Sequence, residues 1–207
     1  MGRRKKTKPA PAPPTDRGRA RRDAILEAAI EVVASKGAGA VTHRAVAAEA
    51  GVPLAATTYY FSSKAELLVE AFRHLTQDRM RAYDEALSIL PERMSADVAA
   101  AAWANALAVN LRSEPARVLS EFEMHLEASR QPELRLIHEA WEAKAMTYFT
   151  AGMKAIGSST PETDAALVLS VLTGLEIGEI ASPTRHAERD LLAPLLRRLL
   201  HALVPTD

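Results

Sequence analysis

The sequence predicts an all-α protein of about nine helices, with an N-terminal three-helix head followed by a C-terminal helical bundle. Three observations lead to that reading. From Arg22 onwards apolar residues recur at three- and four-residue spacing, the period of an amphipathic helix. No alternating, β-branched run bounded by turn residues is present, so strands are not expected. Between residues 41 and 64 the stretch VTHRAVAAEAGVPLAATTYYFSSK sets two short helical segments on either side of one glycine, with proline close behind it.

Composition narrows the class. At 207 residues the chain can form one domain or two closely packed ones with a proper core. Its 48% hydrophobic and 25% charged residues are ordinary for a soluble globular protein. Cysteine is absent, which excludes disulfides, thiolate metal sites and a cysteine nucleophile. No run of about 18 apolar residues exists to span a membrane, and the basic N-terminus lacks the apolar segment of a secretory signal. A cytoplasmic protein is expected. Its zero net charge hides a division: 12 Lys and Arg face 5 Asp and Glu up to residue 64, and 14 face 21 beyond it, so +7 and −7 cancel. A basic end on an acidic body suits a head that meets nucleic acid and a body that stays off it.

Taken in order, residues 1–18 combine Arg3, Arg4, Lys5, Lys6 and Lys8 with PAPAPP and read as a disordered arm. Such an arm either reaches DNA phosphates or a minor groove, or only solubilises the chain. Residues 22–37 read as an amphipathic helix with Ile25, Ala29, Val32 and Val33 on one face and Gly37 at its end. Thr42 is a good N-cap for a short helix reaching Ala50. Gly51 falls where a reversal between helices wants positive φ, and Pro53 suits the first position of the next helix, which runs to about Tyr60. Helix, glycine turn, short helix is the helix-turn-helix pattern, whose second helix enters the DNA major groove. Ser63-Lys64-Ala65-Glu66 is a capping box opening a helix that ends near Leu90, before Pro91. Further helices are expected over 95–111, 114–130 and 133–156. A loop at 157–160 follows, with Thr160 capping a helix to about Ala181 and a second capping box across Ser159–Glu162. A last helix is expected over 187–204. The division is then an arm (1–18), a head (19–64) and a body (65–207).

The string ILEAAIEVVASKG…VTHRAVAAEAGVP…TTYYFSSKAELL resembles the TetR family of one-component bacterial repressors over about residues 22–72. The resemblance implies a DNA-reading head, an effector pocket in the body and a dimer interface in the last two helices. Members usually carry a Tyr-x-Tyr-Phe ending to the second helix; Tyr60 and Phe61 fit, but Thr58 stands where the first tyrosine is typical. The short second helix must carry the side chains that reach base edges. Thr57, Thr58 and Tyr59 are its candidates, with Ala55 or Ala56 able to touch a thymine methyl. Thr42, His43 and Arg44, at the start of the preceding helix, suit a phosphate, as do Tyr60 and Lys64, whereas Phe61 reads as core. Two heads on a palindromic operator in double-stranded DNA would supply the affinity that one lacks. The expected homodimer agrees with Leu167, Leu172, Leu175 and Ile177, and with Leu191, Leu192, Leu195, Leu196, Leu199, Leu200 and Leu203, which cover more than one face of the final helix. Gly174 and Gly178 either allow close helix approach or only weaken their helix.

In the body, Trp103, Phe122, Trp141, Met146 and Phe149 are of the kind that lines apolar pockets, and Asn110, His125 and Glu176 could orient a ligand. A hydrophobic or aromatic small-molecule effector is the expectation. Glu121 and His125, at i and i+4, could hold a metal or act as acid and base, but no further ligand stands at telling spacing; a surface hydrogen-bonded pair is the plainer reading. Neither a phosphate-binding glycine loop nor a nucleophile elbow is present, so no cofactor, no metal and no catalysis are expected. The leading reading is therefore a dimeric, ligand-responsive repressor bound at the nucleoid. A helical binding or scaffold protein with a degenerate head is the second, supported by Thr58 and the apolar start Pro53-Leu54-Ala55-Ala56, and an enzyme using Glu121 and His125 the third.

Overall fold

A computed structural model describes residues 16–182 and 192–204. The basic arm's first fifteen residues, residues 183–191 with the expected start of the last helix, and residues 205–207 lie outside them. Among the described residues are nine α-helices and no strand. They are α1 (Asp16–Lys36), α2 (His43–Glu49), α3 (Leu54–Tyr60), α4 (Lys64–Ser88), α5 (Ala96–Ser113), α6 (Pro115–Ala128), α7 (Pro132–Ala155), α8 (Pro161–Ala181) and α9 (Leu192–Leu203), with a short 3-10 turn at Ala38–Ala40. Residues 16–18, assigned above to the arm, are already helical.

Local chemistry sets the boundaries. Gly37 and Gly51 both adopt positive φ, 79° and 62°, where a side chain would be strained. Thr42 caps α2 by accepting from the Ala45 N–H at 3.1 Å. Pro53 is the N-cap of α3 rather than its first residue. Ser63 caps α4 by accepting from the Glu66 N–H at 3.1 Å, while the Glu66 carboxylate turns back to the Ser62 N–H at 2.6 Å. The return bond thus reaches one residue further than a capping box requires. Pro115, Pro132 and Pro161 open α6, α7 and α8, where a missing N–H costs nothing.

The second capping box does not form. Thr160 makes no side-chain cap; its hydroxyl and that of Ser158 donate to the buried Asp164 carboxylate at 3.1 and 2.5 Å. A buried carboxylate needs those donors more than exposed helix N–H groups do. Glu162 pairs with Lys154 instead, at 3.1 Å.

Two apolar clusters build the core. The first joins α1 (Ile25, Leu26, Ile30, Val33), Val46, Phe61 and α4 (Leu67, Leu68, Phe72, Leu75) to Met124 of α6 and Leu134 and Ile137 of α7. The head therefore shares its core with the base of the body. The buried Ser120 hydroxyl donates to the Ile30 carbonyl at 2.9 Å, and Arg117 donates to Glu27 of α1 at 2.7 Å and to Asp78 of α4 at 3.2 Å. The second cluster unites α5, α7, α8 and α9. In it Leu192, Leu196 and Leu200 face inward, with α9 packed along α5. On their outer sides Leu167 and Ile177 of α8 and Leu195 of α9 are exposed, and nothing lies within 4 Å of a Cβ built on Gly174 or Gly178. Leu191 lies outside the described residues.

Gly152 of α7 is the tightest close approach. A Cβ there would stand 2.7 Å from Cζ2 of Trp103, whose indole N–H donates to the Tyr148 hydroxyl at 3.1 Å and whose ring meets Phe149 edge-on. Gly152→Ala is expected to lower stability by about 1–3 kcal/mol through forced displacement of Trp103, read as an earlier urea midpoint at unchanged slope.

Candidate nucleic-acid interface and internal cavities

α3 is too short to hold its shape alone and is seated against the head core by Ala56 and Tyr60, with Phe61 buried just beyond. Its outer face is Leu54, Ala55, Thr58 and Tyr59, with Tyr59 81% exposed. Thr58 and Tyr59 thus stand where the sequence places contacts, and so does Ala55, whereas Ala56 packs inward. Thr57 is a correction. It is completely buried, and its hydroxyl donates to the Leu54 carbonyl one turn earlier at 2.9 Å, so it cannot reach a base edge. Leu54, not among the candidates, lies one turn before Thr58 on the outer face; the i, i+4 spacing was the available signal.

The remaining head candidates frame α3. Thr42 and Arg44 are exposed at the start of α2, and His43 is half-buried. Tyr60 is half-buried with its ring edge-on to Tyr59 at 5.1 Å. Lys64 is exposed and donates to the Gly39 carbonyl at 2.7 Å, which keeps its ammonium beside the head. Arg22 lies over the Phe61 ring, 5.4 Å from its centre, and bonds to Glu70, fixing α1 against α4.

In the body two adjoining cavities share Trp141, Leu169, Thr173 and Glu176. The larger, about 410 Å³, is lined also by Phe122, His125, His138 and Met146. The smaller, about 190 Å³, is lined by Tyr83, Trp103, Asn110, Tyr148 and Phe149. All eight residues nominated for the body, Trp103, Asn110, Phe122, His125, Trp141, Met146, Phe149 and Glu176, are brought to one or both.

Sequence reasoning missed the group at their centre. Arg79 of α4 donates to Glu121 of α6 through Nε and Nη2 at 3.3 and 2.6 Å, and to Glu176 of α8 through Nη1 at 3.3 Å. Burial opposes the Arg79 charge, but Glu121 and Glu176 outweigh it and hold the guanidinium above the usual arginine range. Burial pushes the Glu121 carboxyl above the usual carboxylate range, and the two-point bond to the always-charged Arg79 guanidinium offsets only part of that rise. Burial with these carboxylates nearby also drives Tyr83, one turn beyond Arg79, up to about 12 against the pull of that arginine. A clue was available, because Phe72, Leu75, Thr76, Arg79 and Tyr83 follow helical spacing, which places a charge on an otherwise buried stripe.

Glu121 and His125 do not form the expected surface pair. Glu121 is committed to Arg79, while the His125 ring lies 5.3 Å from Phe72, 4.6 Å from His138 and 4.7 Å from Trp141. Burial, with His138 and Arg79 beside it, lowers His125 to about 3, so the ring is neutral at physiological pH. No group of three His, Asp or Glu among the described residues could hold a metal ion.

A helical head with an outward recognition helix, continuous with a body that holds open clefts, defines the class of one-chain DNA-binding regulators. The comparisons agree. Residues 25–71 match the family model for bacterial regulatory proteins, tetR family, and residues 94–205 match that for the tetracyclin repressor-like C-terminal domain. The HTH-type transcriptional regulator BetI of Rhizobium meliloti is 30% identical over 139 residues, 66% of each chain. A transcriptional regulator from Rhodococcus sp. Rha1 superposes with TM-score 0.71 at 26% identity, covering 88% of this chain and 95% of that one. The multidrug binding protein EbrR, in its complex with ethidium, gives TM-score 0.64 at 31% identity, covering 86% and 98%. The chain belongs to the TetR family of bacterial regulatory proteins. That is a family of DNA-binding regulators, not of enzymes.

Two outcomes are expected from this geometry. Tyr59→Ala should lower affinity for the operator at least tenfold, whereas Thr57→Val should leave base preference unchanged and only cost stability, as competition binding and urea unfolding would show. His125 should make the fold acid-sensitive. Its folded value lies below its unfolded value of 6.5, so the unfolded chain binds the extra proton and stability falls as pH drops through the window from 6.5 towards 3. Between pH 6.5 and 5 the native protein should lose about 2 kcal/mol more than the His125→Phe variant, measured by urea denaturation at each pH.

Proposed function

We propose that the protein is a cytoplasmic, nucleoid-associated homodimeric repressor that binds a palindromic operator and is released by a small hydrophobic or aromatic effector. The observation that carries this reading is the continuity of α4. Its first residue, Lys64, stands beside the DNA-facing head, and its second half, through Arg79, Ala82, Tyr83 and Ala86, walls the smaller cavity. An effector that fits the body better when α4 is displaced lowers operator affinity by the difference in its affinity for the two states.

Support for the effector comes from the cavities, whose walls include Phe122, Trp141, Trp103, Tyr83, Tyr148 and Phe149, and from solved structures of EbrR complexed with ethidium and with proflavin. Support for the dimer comes from the exposed Leu167, Gly174 and Ile177 on α8 and the exposed Leu195 on α9. The contacts proposed for DNA are Ala55, Thr58 and Tyr59 on base edges and Thr42, Arg44, Tyr60 and Lys64 on the backbone. No helix among the described residues is long and apolar enough to cross a membrane, which fits the proposed location.

The reading is tested by fluorescence anisotropy with DNA flanking the protein's own gene at two salt concentrations. Sequence-selective binding that weakens steeply with salt is expected, and Lys64→Ala should reduce the salt slope by about one. Equal, weak binding to all sequences would transfer the chain to the degenerate-head class. Ile177→Asp should convert dimers to monomers in sedimentation and abolish tight operator binding; a monomeric wild type with full operator affinity would contradict the dimer.

A further inference from the structure

The cavities carry a sign of charge as well as an apolar lining. By formal charge the largely buried triad of Arg79, Glu121 and Glu176, one positive and two negative, sums to −1. Both carboxylates line the larger cavity, Glu142 stands on its rim, and none of its lining residues is lysine or arginine. The ring faces of Trp141 and Phe122 share that wall and add negative potential of their own. The Trp141 indole N–H and the His125 Nε2 are buried there without a protein partner, so the wall also holds unmet hydrogen-bonding capacity.

The two bonds of Arg79 are unequal. Glu121 takes two of its nitrogens, the nearer at 2.6 Å, whereas Glu176 takes one at 3.3 Å. Glu176 is thus the more loosely held carboxylate, and it is the one that faces both cavities. We propose that the effector is an organic cation on an aromatic or apolar body, and that its positive group takes Glu176 in place of Arg79. An uncharged guest would leave the net charge uncompensated, and an anion would add to it. Because the exchange removes the α4–α8 tie and leaves the α4–α6 tie, the ligand acts on the helix that continues from the head. This rests on the effector reading above and adds its charge and point of attachment.

The test is calorimetric titration of the full-length protein, without DNA, using 9-aminoacridine and acridine, planar probes of similar shape of which only the first is cationic at neutral pH. The cation should bind at least tenfold more tightly. Glu176→Gln should remove that preference while acridine binding persists. The double variant Arg79→Met, Glu121→Gln keeps the net −1 on Glu176 but has no guanidinium to displace, and should bind the cation about tenfold more tightly than wild type. Equal affinity for the two probes, no binding of either, or a preference surviving Glu176→Gln would overturn the proposal, and an unchanged affinity in the double variant would overturn the displacement of Arg79. Since DNA is absent, failure here leaves operator binding untouched, and failure of operator binding leaves the cation preference standing.

Discussion

One buried guanidinium ties the body together. Arg79 reaches from α4 to Glu121 on α6 and Glu176 on α8, in a setting where removing one partner leaves a charge without compensation, typically at a cost of about 3–5 kcal/mol. Replacing such a group wholesale by apolar residues is often neutral, so the triad adds little to stability as such. What it supplies is a choice of arrangement. Three helices are held in one register by bonds that a ligand of the right charge can compete for, beside cavities that admit one.

The head feels that register by two routes. One is the backbone of α4, capped at Ser63 next to the recognition helix and running unbroken to the triad. The other is α6, which carries Glu121 and docks on α1 through the buried Ser120–Ile30 hydrogen bond and the Arg117–Glu27 ion pair, while Arg117 also reaches Asp78 of α4. Because head and body base share one apolar cluster, close-packed and poorly compressible, a shift of α6 has nowhere to dissipate before it reaches α1. The packing thus offers α6 as a second lever beside α4.

What was legible in the sequence follows from how local each signal is. Caps and turn glycines act within a few residues, so Thr42, Gly51 and Ser63 located their elements closely. The aromatic and polar residues assigned to a cavity gathered around two, because large groups on inward helix faces converge. Signals that depend on partners far along the chain were not legible. Thr57 turns into the head, where its hydroxyl also meets the His43 carbonyl of α2 at 3.4 Å, and the cap expected of Thr160 is lost to Asp164, whose burial needs the packed body. Glu121 and His125 look like a pair at i, i+4 until Arg79, 42 residues before Glu121, claims the carboxylate.

In this arrangement the triad around Arg79 and the DNA-facing head act as parts of one coupled unit. Hydrogen exchange of the free and operator-bound protein tests it most directly. Coupling requires that DNA binding change amide protection in α4 around Arg79 and in α6 from Arg117 to His125, as well as in α2 and α3. Protection changes confined to α2, α3 and the start of α4 would contradict it.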